Sequence, residues 1–356
     1  MNAATTRVGV VRCPICLDQF VWPEDDVIWL LNEEMSYTQV DISDVVDPLK
    51  RATIKQDGYQ RCPNPSGDAD EHYLPATYHS HGRPLVVGLV GTPASGKTHL
   101  LTAMIRESVE QRGLQHLGLT VDPLDGRKHD AFRKTHVQPF EDGVELPGTR
   151  DGISMFADIL LVKGPALTRP VTFFDVSGED LQSVGATGWR ARFLAGAGAL
   201  LFVHGLSDAA GGGASSNRAF SQVLTKLRAV VPNLRQLPAA IVVTKADRMR
   251  YLTPIDRWWH NETIDRLDAH CVYAESRDVY AMLYRQRAMA ALEPFDEFDR
   301  CTLHLVSASG CEAVGTEDSP KRFVRGVMPR RVLQPLVAIL AMAGLISGPD
   351  AAEVGR

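Results

Sequence analysis

The chain of 356 residues has no apolar run long enough to cross a bilayer. Its longest, from Leu336 to Ile346, falls well short of the ~20 residues that a spanning helix requires. The opening residues, Met1 to Val11, lack the long apolar core of a secretion signal, so a cytoplasmic protein is expected. A basic surplus is missing too. With 38 Lys and Arg against 43 Asp and Glu the net charge is −5, which gives no general reason to expect a nucleic-acid partner. Cysteine is scarce, six residues in all, and internal repeats and long low-complexity tracts are absent. What remains is an ordinary globular composition, 44% hydrophobic and 23% charged, with length enough for two domains.

One stretch stands out from that background. Gly91-Thr92-Pro93-Ala94-Ser95-Gly96-Lys97-Thr98 fits G-x-x-x-x-G-K-[ST], the phosphate-binding loop. Before it lie six apolar or glycine residues, 85–90, suited to a buried strand; after it, Leu100, Leu101, Met104 and Ile105 recur at helical spacing. In that context the N–H groups from Ala94 through Thr98 are expected to curl around a phosphate at a helix N-terminus. Lys97 would reach the β- and γ-phosphates, and the Thr98 hydroxyl would ligate Mg²⁺. A tight glycine turn alone would not explain all four fixed positions and both flanks.

Beyond residue 84 the pattern alternates. Strands are expected at 85–90, 117–121, 153–162, 171–176, 199–204, 240–244 and 302–307, and helices at 97–112, 180–194, 217–231 and 335–343, with more within 255–292. Such alternation predicts an α/β fold, a mostly parallel sheet with helices on both faces. Residues 208–216, without large apolar side chains, read as a mobile loop, and 349–356 as a disordered tail.

Two further stretches carry chemistry. In Phe173-Phe174-Asp175-Val176-Ser177-Gly178-Glu179 an apolar strand delivers Asp175, 78 positions after Lys97, to the carboxyl edge of the sheet, where ligands bind in such folds. Asp175 can hold a Mg²⁺ shell through water, and the Gly178 amide can contact a γ-phosphate. In Thr244-Lys245-Ala246-Asp247 the Asp247 carboxylate offers two acceptors matching the N1–H and N2–H donors of guanine, and Lys245 can lay its stem along the purine. Ser307 and Ala308, ending another expected strand, could bring the Ala308 amide to the guanine carbonyl.

The first segment, residues 1–82, is of a different kind. It holds Cys13-Pro14-Ile15-Cys16 and then Cys62, which read as a metal knuckle and half of a second one. His72 is the nearest fourth ligand, with His79 and His81 behind it, so a zinc-ribbon-like module with Cys13, Cys16, Cys62 and His72 on Zn²⁺ is expected. This segment has 13 acidic residues against 6 basic ones, a poor surface for DNA or RNA. It suits packing on its own chain or on a protein.

Taken together, residues from Pro84 to about Gly348 resemble the P-loop GTPases of the translation-factor and Ras-related class: the phosphate loop, Asp175-x-x-Gly178, Thr244-Lys245-x-Asp247 and Ser307-Ala308 occur in the family's order. With the cysteine module in front, the layout looks like bacterial double-GTPase-type proteins of conflict or defence systems. The resemblance implies a GTPase domain over 83–348 that binds Mg²⁺ and GTP or GDP, hydrolyses GTP, and acts as a switch toward a protein partner. It implies nucleotide contacts from Gly91, Ser95, Gly96, Lys97, Thr98, Thr244, Lys245, Asp247, Ser307 and Ala308. It also implies Mg²⁺ ligation by Thr98, Asp175 and Thr149, and catalytic roles for Lys97, Thr149, Gly178 and Glu179.

Three departures qualify it. No sharp motif marks the switch threonine, for which Thr149 is preferred to Thr135 and Thr168. Glu179 stands where a glutamine often orients water, and Pro93 crowds the path of an arginine finger, so slow intrinsic hydrolysis is expected. Asp247 and Ser307 are 60 positions apart, leaving room for an insertion around 249–300. Two other readings stay open: a nucleotide-binding scaffold with little turnover, and an ATPase using the same loop.

Overall fold

The computed structural model describes residues 9–23, 26–92, 94–147, 154–155, 159–165, 167–177, 196–206, 214–261, 266–316 and 320–356, without the side chains of 154–155, 175–177 and 214–219. Strands β1 (Val10–Arg12) and β2 (Gln19–Val21) pair antiparallel and carry the Cys13–Cys16 turn between them. Strands β3 (Val27–Leu31), β4 (Tyr37–Asp41), β5 (Tyr59–Arg61) and β6 (Tyr73–Pro75) form a second antiparallel sheet in the order β4-β3-β5-β6. Helix α1 (Pro48–Asp57) links β4 to β5, with the Asp47 carboxylate capping the Leu49 amide at 2.9 Å and Pro48 in the first turn. The first segment is therefore more than a ribbon: two ribbon-like hairpins enclose the cysteines, and a third hairpin and a helix are added.

The central sheet has eight strands: β7 (Leu85–Gly91), β8 (Thr120–Pro123), β9 (Ser154–Met155), β10 (Leu160–Lys163), β11 (Thr168–Ser177), β12 (Ala199–Gly205), β13 (Ala239–Thr244) and β14 (Cys301–Leu305). Seven run in the order β14-β13-β12-β7-β11-β10-β8, and β9 pairs with the far end of β11. The five from β14 to β11 are mutually parallel, while β10 is antiparallel to both of its neighbours. Period-two alternation splits the apolar residues between two cores. Leu85, Val87 and Leu89 of β7, with Leu201 and Val203 of β12, face one core; Val86, Val90, Leu200 and Phe202 face the other.

The first core is closed by α2 (Lys97–Ile105) and α9 (Gln334–Met342), all but one of whose residues are buried. The long apolar run of the sequence is thus a core helix, and no helix among the described residues is long and apolar enough to cross a membrane. The second core is closed by α5 (Ala214–Val230), α6 (Ile255–Trp259), α7 (Ala269–Arg285) and α8 (Met289–Glu297). Residues 249–300, expected as an insertion, supply Val279, Leu283 and Leu292 to that core and cover the sheet.

Several boundaries differ from expectation. The helix expected over 97–112 stops at Ile105 and widens into a five-residue turn, Arg106–Glu110, with the Gln111 amide bonded to the Arg106 carbonyl at 3.1 Å. The strand expected at 117–121 begins at Thr120, because Gln115–Leu117 form a tight turn closed by Gly118 at φ 70. The strand expected at 153–162 is two strands, β9 and β10. Short helices α3 (Gly126–Phe132) and α4 (Gln138–Glu141) were not anticipated, and the helix expected at 180–194 lies outside the described residues.

Among the described residues the N-terminal segment is joined to the α/β unit by several contacts, with Ile159 and Leu124 packed in the cysteine cluster. Leu17, left-handed at φ 64 after the cysteine knuckle, enters the second core, and Gly196 makes room: a Cβ there would lie 2.8 Å from Leu17 Cδ1. At α3, Arg127 bonds the Leu31 carbonyl, and Lys128 Nζ lies 3.3 Å from the Tyr73 carbonyl and over the rings of Tyr37 and Tyr59.

Residues 349–356, expected as a disordered tail, instead carry helix α10 (Pro349–Glu353) and bury Ala351 and Val354. The Arg300 guanidinium ties them down by donating to the Val354 carbonyl at 3.0 and 2.7 Å and to Ala351 at 2.9 Å. Carbonyl groups at a chain end satisfy a cation without a carboxylate, which a pattern search for ion pairs does not see. Arg300→Ala is expected to lower stability by about 2 kcal/mol in denaturant unfolding and to make the last residues protease-sensitive. An unchanged unfolding midpoint would show that the clasp contributes nothing.

Candidate functional site

Parallel pairing brings the ends of β7, β11, β12, β13 and β14 to one edge of the sheet, where Gly91 and Thr244 end their strands and Ser307 follows β14. Gly91, the last residue of β7, is registered with Ser177, two residues past Asp175 on β11. The chain then turns through Ala94 at φ 59 and Gly96 at φ 86 into α2, so Lys97 and Thr98 open the helix. Left-handed residues between a strand and a helix turn successive amides inward, and the helix dipole adds its positive end. Lys97 is buried and lies across this loop, donating to the Gly91 carbonyl at 2.8 Å and the Thr92 carbonyl at 3.1 Å. Ser95 Oγ is buried without a hydrogen-bond partner. A buried hydroxyl of this kind, beside a lysine and a helix N-terminus, fits a phosphate oxygen.

Tight approach shapes the loop. A Cβ at Gly91 would lie 2.6 Å from the Val203 carbonyl oxygen, and one at Gly205, where β12 ends, 3.2 Å from Ser95 Cα. The Thr244 hydroxyl donates to the Ser95 carbonyl at 2.5 Å, so the end of β13 is bonded to the loop after β7. Lys245 follows in the left-handed region at φ 60, and this reversal lets the Ala246 amide reach the Val306 carbonyl at 3.2 Å. Burial, with Arg248 nearby, lowers the Lys245 pKa.

The Ser307 hydroxyl donates to Asp247 Oδ1 at 2.5 Å and accepts from the Gly310 amide at 2.9 Å. The two motifs, 60 positions apart in sequence, are therefore in direct contact, and Ala308 packs beside the core next to them. Asp175 is placed by its backbone in β11. Thr149, Gly178 and Glu179, with Pro93, lie outside the described residues.

A residue that the sequence reading passed over belongs to this edge. His99, two positions after Lys97, accepts the Leu146 amide at Nε2 at 3.0 Å and meets Phe140 and Phe323 edge-on. Burial, then the charge of Lys245, depresses its pKa to about 4. The ring is neutral at ordinary pH, as an acceptor must be. Its only sequence signal was an imidazole on the first turn of the helix, directly after Lys97 and Thr98.

The second site is the cysteine centre. Cys13, Cys16, Cys62 and His72 present ligand atoms that all lie within 4.8 Å of one another, the three cysteines buried and His72 half-buried. Each ligand pair comes from one hairpin: Cys13 and Cys16 lie between β1 and β2, Cys62 and His72 between β5 and β6. The Cys16 and Cys62 sulfurs are 3.7 Å apart, far beyond a disulfide of ~2.05 Å. A zinc tetrahedron with bonds of ~2.3 Å has an edge of ~3.8 Å, so the spacing suits Zn²⁺.

Backbone amides support the sulfurs, Ile15 and Cys16 toward Cys13 and Asn64 toward Cys62, at 3.3 to 3.5 Å. His72 Nδ1 bonds the Asp70 carbonyl at 2.7 Å, which fixes the tautomer and leaves Nε2 facing Cys13 Sγ at 3.2 Å. Hydrogen bonds from Cys13 and Cys16 pull the Cys62 thiol down to about 4, while burial pushes Cys13 up. The cluster could hold a zinc ion. His79 and His81, the reserve candidates, stay outside it; His79 stacks on Trp22.

A scan of protein-family models finds no match to this chain, and a search of curated proteins finds none. Among solved structures, bacterial selenocysteine-specific elongation factor EF-Sec aligns with 14% identity and a TM-score of 0.23. The alignment covers 64% of this chain and 26% of that one, and a superposition of this quality carries no weight for fold or function.

Two outcomes are expected. Purified protein should hold one zinc per chain by elemental analysis, lost in Cys16→Ser and Cys62→Ser but kept in His79→Ala; metal-free native protein would count against the site. Protons compete for the same sulfurs and imidazole, so zinc should be released on acidification. For His99, the folded pKa lies below the unfolded value near 6.5, so its contribution is complete above pH 6.5 and is lost as the pH falls through about 4. Relative to His99→Gln, wild type should lose about 3 kcal/mol across that window. Parallel pH profiles for the two proteins would refute this.

Proposed function

We propose that the chain is a guanine-nucleotide-binding protein that hydrolyses GTP, with the cysteine centre as a structural zinc site. The observation that carries this reading is the bond from Thr244 to the Ser95 carbonyl. It joins a loop suited to phosphates to a loop suited to a base, with Asp247 held by Ser307 at the far end.

Bound nucleotide would displace Lys97 from the Gly91 and Thr92 carbonyls toward the β- and γ-phosphates, with the amides from Ala94 to Thr98 around them. Mg²⁺, when bound, neutralises charge on the β- and γ-phosphates; Thr98, Asp175 and Thr149 are its proposed ligands. Water adds to the γ-phosphorus as the bond to the β–γ bridging oxygen breaks, giving GDP and inorganic phosphate, with the proton of water passing to a phosphate oxygen. Lys97 stabilises the transferring group, and Gly178 and Glu179 are assigned to the γ-phosphate side. Division into an N-terminal module over 1–82 and a nucleotide domain over 83–348 belongs to the same proposal. So do nucleotide-dependent action on a protein partner and a place in bacterial defence. The acidic N-terminal segment argues against nucleic acid as that partner.

GTP and GDP are expected to bind far more tightly than ATP. Asp247→Asn should weaken guanine binding by about 2–3 kcal/mol, since a donor then faces a donor. Lys97→Ala should abolish tight triphosphate binding for any nucleotide. Isothermal titration with GTP, GDP and ATP decides the matter: equal affinities for ATP and GTP would sink the reading.

A further inference from the structure

We propose that the buried Glu275–Arg331 pair is a positioning device for guanine selectivity: it fixes the chain from Leu305 to Ser307, and through Ser307 the aim of Asp247. The proposal rests on the guanine-nucleotide reading above.

Strand β14 is the edge of the central sheet, so one side of its backbone has no neighbouring strand. Helix α7 covers that side with side chains. Ser276 Oγ accepts the Leu303 amide at 2.9 Å, and Glu275 Oε1 accepts the Leu305 amide at the same distance. Arg331 then closes a ring. Its Nη2 bonds Glu275 Oε1 at 2.7 Å, its Nε donates to the Leu305 carbonyl at 3.2 Å, and its Nη1 bonds the Asn261 carbonyl. The other carboxylate oxygen meets His304 Nδ1 at 3.1 Å, and His304 Nε2 meets the Thr302 hydroxyl at 3.0 Å. Both Glu275 and Arg331 are almost wholly buried, at 3% and 7% exposure.

Burying an ion pair is an expensive way to cover a strand edge, because desolvation offsets most of the attraction and apolar side chains often serve as well. What the charges add is direction. Leu305 has both its amide and its carbonyl assigned to named atoms, and it lies two residues before Ser307. On the other side, Ser307 exchanges two backbone bonds with Arg330, at 3.0 and 2.7 Å, next to Arg331. Arg331 itself has φ 60, a conformation that costs a non-glycine residue energy and persists only where the surroundings over-determine it. Its three hydrogen-bonding contacts provide that over-determination. Ser307 is thus held from Leu305, bonded to the Glu275 carboxylate, and from Arg330, whose neighbour Arg331 pairs with that carboxylate, and its hydroxyl orients Asp247 at 2.5 Å.

The test measures binding of GDP and of ADP to wild type, Glu275→Gln, Arg331→Lys and the double replacement of Glu275 by Leu with Arg331 by Met. The double variant leaves no lone buried charge. A role in folding alone would lower thermal stability while leaving the GDP-to-ADP affinity ratio unchanged. We expect that ratio to fall at least tenfold in each variant that keeps the wild-type circular dichroism. A ratio within twofold of wild type in any folded variant overturns the proposal, as does failure of all three to fold, which would assign the pair to folding alone. Wild type without a preference for GDP over ADP would instead overturn the nucleotide reading itself.

Discussion

The parallel pairing of β11, β7, β12, β13 and β14 is the constraint on which the rest depends, since it sends five strand ends to one edge. At that edge the Thr244 hydroxyl bonds the Ser95 carbonyl across the end of β12, and this is possible because β12 ends in Gly205. A larger residue there would push the loop after β7 away from β13. The loop and the segment carrying Asp247 are therefore spaced by the sheet and locked by one short hydrogen bond. Lys97, already drawn across the loop by the Gly91 and Thr92 carbonyls, is held within it.

The cysteine centre works on the other side of the same logic. A small antiparallel segment of short strands has little core of its own, and its buried residues form two small clusters, one built around Cys13, Cys16 and Cys62 and one around Leu31, Tyr59 and Tyr73. A metal ion would join two hairpins that share few other contacts. Docking then uses apolar and cationic contacts, with Ile159 of the α/β unit buried in the cysteine cluster. Leu17 enters the α/β core beside Gly196, and Lys128 of the α/β unit lies against the tyrosines of the small sheet. Helix α1 takes no part in this and buries none of its residues.

Much of the architecture was legible because its signals are local. The α/β pattern, the strand–loop–helix at Gly91 to Thr98, and Cys13, Cys16 and Cys62 as metal-type cysteines follow from periodicity, glycine placement and side-chain chemistry. What went unread depended on distant partners. The tail at 349–356 is ordered by Arg300, about fifty positions earlier, through main-chain carbonyls that no residue pattern records. Residues 249–300 read in sequence as an insertion, and their packing on the sheet through Val279, Leu283 and Leu292 depends on contacts that spacing does not record.

By itself, then, the sequence pointed to kinds of chemistry: a loop of phosphate-binding pattern, a carboxylate of the type that suits a base, and three cysteines with histidines near them. These depend on residue type and short spacing, which survive without knowledge of the fold. Only the tertiary structure decided how they meet. Contact between Asp247 and Ser307, choice of His72 over His79 and His81, and recruitment of His99 and the Glu275–Arg331 pair are matters of where separate elements pack. The physical reason is range. Hydrogen bonds act over about 3 Å, and a linear chain does not show which residues will come within that distance.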